Sequence, residues 1–422
     1  MTPNMQDSVR AVFTAAIVGA LAATVSCSSG PPAPSTTSSS AAVSVTPAAT
    51  ASAALRPFDA AALRADFERN AKELLVPGAV VVLRTPEGTL TASYGTGVRG
   101  SDRPVTVDDH VRVGSVTKTW TTTVILQLVQ EGKLALNDPV SKYRPDVPGG
   151  DKITLEQLMT MRSGLFNYTE TLELNTAMDK EPQKVWTPDQ LLALAYAHPP
   201  YFAPGEGFHY SNTNTVLLGL IAEKIDGKQL GEVFKERIFD PLGLKGTVFP
   251  EGAANTVPEP HPNGYFYGDN VLTMTKPALP DDMQQQATAG TLEPHDVTNN
   301  NPSWAWAAGS GVSTANDLVT LGEGLVNGKL LDAKIQQQRL DSVQATDPNT
   351  PGGALYGWGI GKFGNLYGHT GELPGFNTFM GSDPANQVTL VVGTNLAPAA
   401  DGRDPATTIA RSLIGKVYKP AA

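Results

Sequence analysis

A serine three residues ahead of a lysine is the first sign of chemistry in this sequence. Ser115 and Lys118 stand in Val113-Gly114-Ser115-Val116-Thr117-Lys118-Thr119-Trp120, directly before Thr121 to Gly132, where Val124, Ile125, Leu128 and Val129 recur at helical spacing. Gly132 sits where a glycine ends a helix. The pattern predicts Ser115 at the start of a helix and Lys118 one turn further along the same face. A serine hydroxyl is a weak nucleophile until a base takes its proton. Lysine is such a base only where burial and the positive end of the helix dipole lower its pKa. The free N–H groups of the first turn also offer a place for a developing oxyanion. Alone, Ser-x-x-Lys describes a capped, solvated helix start equally well, so the rest of the chain has to decide.

Two further groups follow. Tyr210-Ser211-Asn212 precedes a predicted helix, and a phenol near cations can exist partly as phenolate and relay protons. Asn212 offers an amide that can hold a substrate carbonyl. His369-Thr370-Gly371 ends a predicted strand, Leu366 to Thr370, where Gly371 and Gly375 allow the close backbone approach that an edge strand receiving a substrate needs. A histidine there can orient a proton relay or meet an anion. The other histidines, His110, His198, His209, His261 and His295, show neither His-x-x-x-His nor His-x-His spacing, so neither a metal nor another cofactor is expected. A Gly-x-Ser-x-Gly elbow is also missing, which leaves the α/β-hydrolase route to a serine nucleophile unsupported. The weight lies in the co-occurrence and order of the three groups.

The elements that must position them read as follows. The chain has 422 residues, 41% hydrophobic and 17% charged, enough for one large body or two intertwined ones. A net charge of −10 without any Lys/Arg block excludes nucleic acid as the expected partner. Arg10 precedes the apolar run Ala11 to Val25, too short to span a bilayer comfortably and typical of a secretory signal. The run ends at Thr24-Val25-Ser26-Cys27, which resembles a bacterial lipoprotein signal with Cys27, the single cysteine, as the lipid-bearing mature N-terminus. Residues 1–27 are thus expected to be a signal peptide, and the Ser/Thr/Pro/Ala segment 28–56 a disordered tether. The body follows in three stretches: 57–145, the N-terminal part of an α/β domain; 146–300, an inserted helical subdomain; and 301–420, the C-terminal part of the α/β domain. A helix over Phe58 to Leu75 and a hairpin over Gly78 to Gly95 open it. Helices over Thr154 to Met161, Pro188 to Ala197 and Asn214 to Ile225 fill the middle. Strands over Leu355 to Ile360, Leu366 to Thr370, Gly375 to Gly381 and Val388 to Asn395, then a helix over Ile409 to Val417, close it. The fold class is α+β: an antiparallel sheet flanked by helices, the helical subdomain inserted, and the active site between them.

From about Phe58 to Val417 the sequence resembles the serine β-lactamase and penicillin-binding protein family, nearest the exported D-alanyl-D-alanine carboxypeptidases with a His-Thr-Gly motif. The likeness includes Leu126-Gln127-Leu128-Val129-Gln130-Glu131-Gly132-Lys133-Leu134, Arg162-Ser163-Gly164-Leu165, Tyr210-Ser211-Asn212-Thr213-Asn214, and Ala308-Gly309 before Ser313. The resemblance implies an acyl-enzyme hydrolase at the cell envelope. Ser115 would be the nucleophile, Lys118 its base, Tyr210 the proton shuttle, and His369 the support of Tyr210. Asn212 would hold the substrate amide; Trp304, Thr370, Gly371 and Glu372 would bind substrate; the N–H groups of Ser115 and Glu372 would form the oxyanion hole. The implied partner is a D-Ala-D-Ala-type amide, an ester or a β-lactam, met by a monomer held to the membrane by its lipid anchor. Two departures bear on the substrate. Where the carboxypeptidases carry a hydroxyl residue and a strand arginine that grip a terminal carboxylate, this chain has Glu372 and Gly361, with Lys362 beside the latter. Esterase or amidase, β-lactamase, and non-catalytic penicillin-binding lipoprotein are the alternatives.

Overall fold

The computed structural model describes residues 53–350 and 352–420; the expected signal segment, Cys27 and the tether as far as residue 52 lie outside them. The last tether residues are held: Leu55 bridges to Tyr418, and Arg56 Nε donates to the Tyr418 carbonyl at 3.0 Å. Ordered structure therefore starts slightly ahead of residue 57.

Eight strands make one antiparallel sheet, in the order Gly88–Gly95, Gly78–Thr85, Val388–Thr394, Phe376–Asp383, Leu366–Leu373, Gly361–Phe363, Leu355–Tyr356 and Gln344–Ala345. The first hairpin sits beside the last strand, with Val81 opposite Ala92 on one side and Val392 on the other. Residues Gly78 to Leu83 are all buried, because helices cover both faces of the sheet and the two-residue period divides them. Val80, Val82, Met380 and Val391 join the core that holds Trp120, Val124 and Leu318. Ala79, Val81, Leu83, Phe379 and Val392 join the core that holds Phe67, Ile409 and Leu413. The result is the expected α+β arrangement in three layers. The first helix, Ala60–Glu73, and the last, Pro405–Val417, share one face. Phe67 is wholly buried between them, and truncating a side chain of that size in a core costs roughly 3–5 kcal/mol.

The opposite face carries the helix Thr117–Gln130, which ends just before Gly132 at φ +71°. Its polar opening run is buried nonetheless, because the threonines satisfy themselves on nearby carbonyls. Thr117, Thr119, Thr122 and Thr123 donate to the carbonyls of Gly114, Val116, Lys118 and Thr119 at 2.6–2.8 Å. Trp120 meets Phe234 and Phe239 edge-on and so locks this helix to the inserted helical region. There, capping boxes at Thr154/Gln157 and Thr187/Gln190 start the helices Leu155–Met159 and Pro188–Tyr196. The helix Asn212–Asp226 ends on Gly227 in the left-handed conformation.

Two expectations are corrected. The strand read over Leu355 to Ile360 is a hairpin. Gly357 N–H donates to the Ile360 carbonyl at 2.8 Å and Gly359 takes φ +66°, turning the chain back into Gly361–Phe363. Within the helical stretch, Tyr265–Phe266 and His295–Asp296 pair as a short two-stranded sheet.

Candidate active site

Ser115 lies in the single turn Gly114–Val116, which runs straight into the helix at Thr117. Gly114 takes φ +52°, and a Cβ there would stand 2.4 Å from the Glu372 nitrogen. A Cβ on Gly371 would stand 1.9 Å from the Val113 carbonyl oxygen and 3.2 Å from the Ser115 nitrogen. Two glycines thus let the strand Leu366–Leu373 press against the nucleophile turn, bringing the backbone amides of Ser115 and Glu372 together. Paired N–H donors beside a serine hydroxyl are the geometry of an oxyanion hole.

Lys118 is fully buried, and its Nζ lies 2.8 Å from Ser115 Oγ and 2.8 Å from the Ala308 carbonyl. Among the described residues no carboxylate pairs with it, and burial pulls its pKa well below the ordinary lysine range. A neutral amine beside a hydroxyl can accept the hydroxyl proton. Tyr210, next to the N-cap Ser211 of the helix Asn212–Asp226, places its ring 4.8 Å from Lys118 Nζ and stands beside Ser115. Burial pushes the Tyr210 pKa up, so the resting group is a phenol and not the partial phenolate considered from the sequence.

His369 departs from its expected role. Its Nδ1 faces the Thr370 carbonyl at 2.5 Å, which requires a proton on Nδ1, and its Nε2 faces the Tyr356 hydroxyl at 3.0 Å. Its bonds to Thr370 and Tyr356 leave Tyr210 as a ring neighbour, with centroids 6.2 Å apart. Support passes through Tyr356, whose ring meets Tyr210 at 85° with centroids 6.0 Å apart. Burial, then the nearby Lys118, depress His369 to about 3, partly opposed by the bond to the Thr370 carbonyl; it is neutral at physiological pH. Tyr356 carried no local signal in the sequence. Neither did Arg339, a buried guanidinium donating to Thr123 Oγ1 at 2.8 Å on the nucleophile helix and lowered to about 9 by burial.

A cleft of about 250 Å³ opens above Ser115, with Asn212, Trp304 and Glu372 in its walls. Asn212 Nδ2 is fixed by Thr169 Oγ1 at 3.1 Å, and the Trp304 carbonyl accepts the Tyr168 hydroxyl at 2.8 Å. Thr370 and Gly371, expected to bind substrate, are not in the cleft wall; Gly371 instead secures the strand against Val113. The strand is also less of an edge than expected. It is the fifth of eight, and only its pairing with Gly361–Phe363 stops at Gly368, which leaves residues 369–373 open on that side. Lys362 lies over the Tyr367 ring at 4.8 Å and not in the cleft wall. Among the described residues, no group of three or more His, Cys, Asp or Glu could hold a metal ion, and no helix is long and apolar enough to cross a membrane.

A serine nucleophile, a buried amine, a phenol and two convergent backbone amides define a serine acyl hydrolase. The sequence profile of the Beta-lactamase family matches residues 63–413, and the chain belongs to that family, whose members are serine hydrolases. A D-stereospecific amidohydrolase from Streptomyces sp. is 31% identical, with a TM-score of 0.71, covering 86% of this chain and all of that one. The D-amino acid amidase of Ochrobactrum anthropi SV3, solved with L-phenylalanine amide, is 26% identical, with a TM-score of 0.70, covering 84% and 97%. The D-alanyl-D-alanine-carboxypeptidase/endopeptidase AmpH of Escherichia coli K12 is 34% identical over 163 residues, 37% of this chain and 41% of its own length.

Proposed function

We propose that the protein is an acyl-enzyme amidohydrolase for small amides and esters, amino-acid amides among them, whose substrates present no carboxylate to Glu372. The observation that carries this reading is the 2.8 Å hydrogen bond between Lys118 Nζ and Ser115 Oγ, with the Tyr210 ring 4.8 Å from the same Nζ. Lys118 takes the hydroxyl proton as Ser115 Oγ attacks the carbonyl carbon, and the carbonyl oxygen becomes an oxyanion on the Ser115 and Glu372 amides. Collapse of that intermediate breaks the bond to the leaving amine or alkoxide, which takes a proton from the Tyr210 hydroxyl, itself reprotonated from Lys118. Water then enters, gives up a proton along the same path, and releases the acid from Ser115.

Glu372 favours this reading over a carboxypeptidase. A carboxylate a few ångströms from another is repelled by about 1 kcal/mol even in water, and no Lys or Arg lines the cleft to offset it. D-Alanyl-D-alanine carboxypeptidase is the second reading, favoured by the stretch shared with AmpH. The likeness of residues 11–27 to a lipoprotein signal supports a place outside the cytoplasm, with Cys27 as anchor. The test is direct. Purified protein is incubated separately with an amino-acid amide, a chromogenic ester, a D-Ala-D-Ala peptide and a fluorescent penicillin. Amide and ester turnover with the peptide untouched supports the first reading, and D-alanine release supports the second. Rapid penicillin hydrolysis identifies a β-lactamase, and inertness to all four overturns the acyl-enzyme mechanism.

A further inference from the structure

We propose that Glu170, which lies outside the cleft wall, decides which end of the Asn212 amide faces the substrate, so that the cleft requires an N–H donor on the acyl part of what it cleaves. The inference rests on the hydrolase reading above and names a feature of its substrates.

An asparagine amide donates from one end and accepts at the other, and its neighbours fix which is which. Here the chain of neighbours starts at Glu170, the last residue of the turn Tyr168–Glu170. Its carboxylate, an acceptor, meets three donors: the Tyr201 hydroxyl at 2.7 Å, His209 Nε2 at 2.9 Å and Asn167 Nδ2 at 3.2 Å. The Tyr201 oxygen already accepts the Asn167 backbone N–H at 3.2 Å, so its own proton goes to Glu170. Tyr201 also stacks on the His209 ring with centroids 3.7 Å apart, which holds the carboxylate's partners together.

Asn167 therefore turns its NH₂ toward Glu170 and its Oδ1 the other way, where the Asn212 backbone N–H donates to it at 3.0 Å. A backbone N–H has no choice but to donate, so the two ends of Asn167 are assigned independently and agree. The same Oδ1 lies 3.4 Å from the Asn212 side-chain amide. An oxygen at that point would face an oxygen. Nδ2 is the end that fits, and its second proton goes to Thr169 Oγ1 at 3.1 Å. The two segments are held in register by Thr213 Oγ1, which donates to the Phe166 carbonyl at 2.6 Å. Asn212 Oδ1 is the end left over. Asn212 lines the cleft above Ser115, and among the described residues no donor meets that oxygen.

This reverses the sequence-based expectation, in which Asn212 donates to a substrate carbonyl. An acceptor in the wall that a bound substrate covers without offering a donor loses its water and gains nothing, so an acyl group carrying an N–H is favoured over one carrying an oxygen in its place. An α-amino or α-acylamino group supplies that N–H on the carbon next to the carbonyl that Ser115 attacks. The substrate class that follows is amides and esters of amino acids and of N-acylated amino acids, in preference to hydroxy-acid counterparts of the same shape.

The experiment compares kcat/KM for the phenyl esters of N-acetyl-D-alanine and O-acetyl-D-lactate, which differ by one N–H exchanged for an oxygen, each rate divided by that ester's alkaline hydrolysis rate. The wild-type protein is expected to favour the alanine ester by about tenfold or more. In Glu170→Ala and Asn167→Ala the Asn212 amide is free to turn, and the ratio is expected to fall toward one. Glu170→Gln keeps an oxygen for Asn167 and is expected to retain most of it. A purely structural loosening lowers both esters together and leaves the ratio where it was, and the ratio is internal to each preparation, so a partly folded variant does not distort it. A wild-type ratio near one, or a ratio unchanged in Glu170→Ala and Asn167→Ala, overturns the proposal alone, provided that turnover is lost in Ser115→Ala. No wild-type turnover of either ester, or turnover that persists in Ser115→Ala, overturns the hydrolase reading and this proposal with it.

Discussion

At the floor of the cleft Lys118 is fully buried and, among the described residues, pairs with no carboxylate; at its rim Glu372 is exposed and, among the same residues, pairs with no cation. The same omission, a missing counter-ion, has different consequences in the two places. Burial pulls the lone amine well below the ordinary lysine range, toward the form that accepts a proton. The exposed carboxyl stays in contact with water. The floor is also over-determined, with Lys118 fixed by Ser115, Ala308 and the Tyr210 ring, whereas the rim opens to water and can adapt.

This contrast can be broken or sharpened by substitution. Ser115→Ala removes the nucleophile and is expected to lower kcat/KM by roughly 10⁴-fold or more, with no penicillin adduct by mass spectrometry. Lys118→Arg puts a permanent positive charge where a base is needed and cannot take up the Ser115 proton, so it is expected to lose roughly 10³-fold, as much as Lys118→Ala. An active Lys118→Arg variant would show that the floor needs a charge and not a base. Tyr210→Phe removes the proton donor to the leaving group and is expected to cost roughly 10²-fold, more on amides than on activated esters whose leaving groups need no proton. His369 supplies a pH test of stability. Its neutral form is the one the fold accepts, so its contribution is fully present above the ordinary histidine pKa of 6.5 and is lost as pH falls toward about 3. Chemical denaturation between those limits is expected to show a decline of up to roughly 4–5 kcal/mol from this group, at about 1.4 kcal/mol per unit, and His369→Gln is expected to flatten it. The smallest effect is Tyr356→Phe, which leaves His369 Nε2 unpaired for about 1 kcal/mol, read as a small drop in Tm.

Much of this was legible in the chain beforehand, and the boundary has a physical origin. The nucleophile helix, the opening hairpin and the three long strands after residue 365 follow local rules, period and glycine placement, that survive in a string of letters. Gly371 is legible too, although as a close-packing residue and not as a contact to substrate. The relay behind Tyr210 is different: Tyr356 lies thirteen residues before His369 and reaches it only because Gly357 and Gly359 fold a predicted strand into a hairpin. Asn377 was equally hidden: nothing beside it in the chain indicates that its side chain caps a helix beginning 28 residues further on.

Asn377 has a consequence for how the molecule is made. By holding the Gly371 carbonyl with one end of its amide and the start of the Pro405–Val417 helix with the other, it ties the wall of the cleft to the last helix of the described body. A chain lacking that helix holds every catalytic side chain and the strand's ladder to Phe376–Asp383, yet leaves the Asn377 amide without one of its two partners. A stop after residue 404 should therefore loosen the strand that carries the Glu372 amide and lower activity without removing a single catalytic side chain.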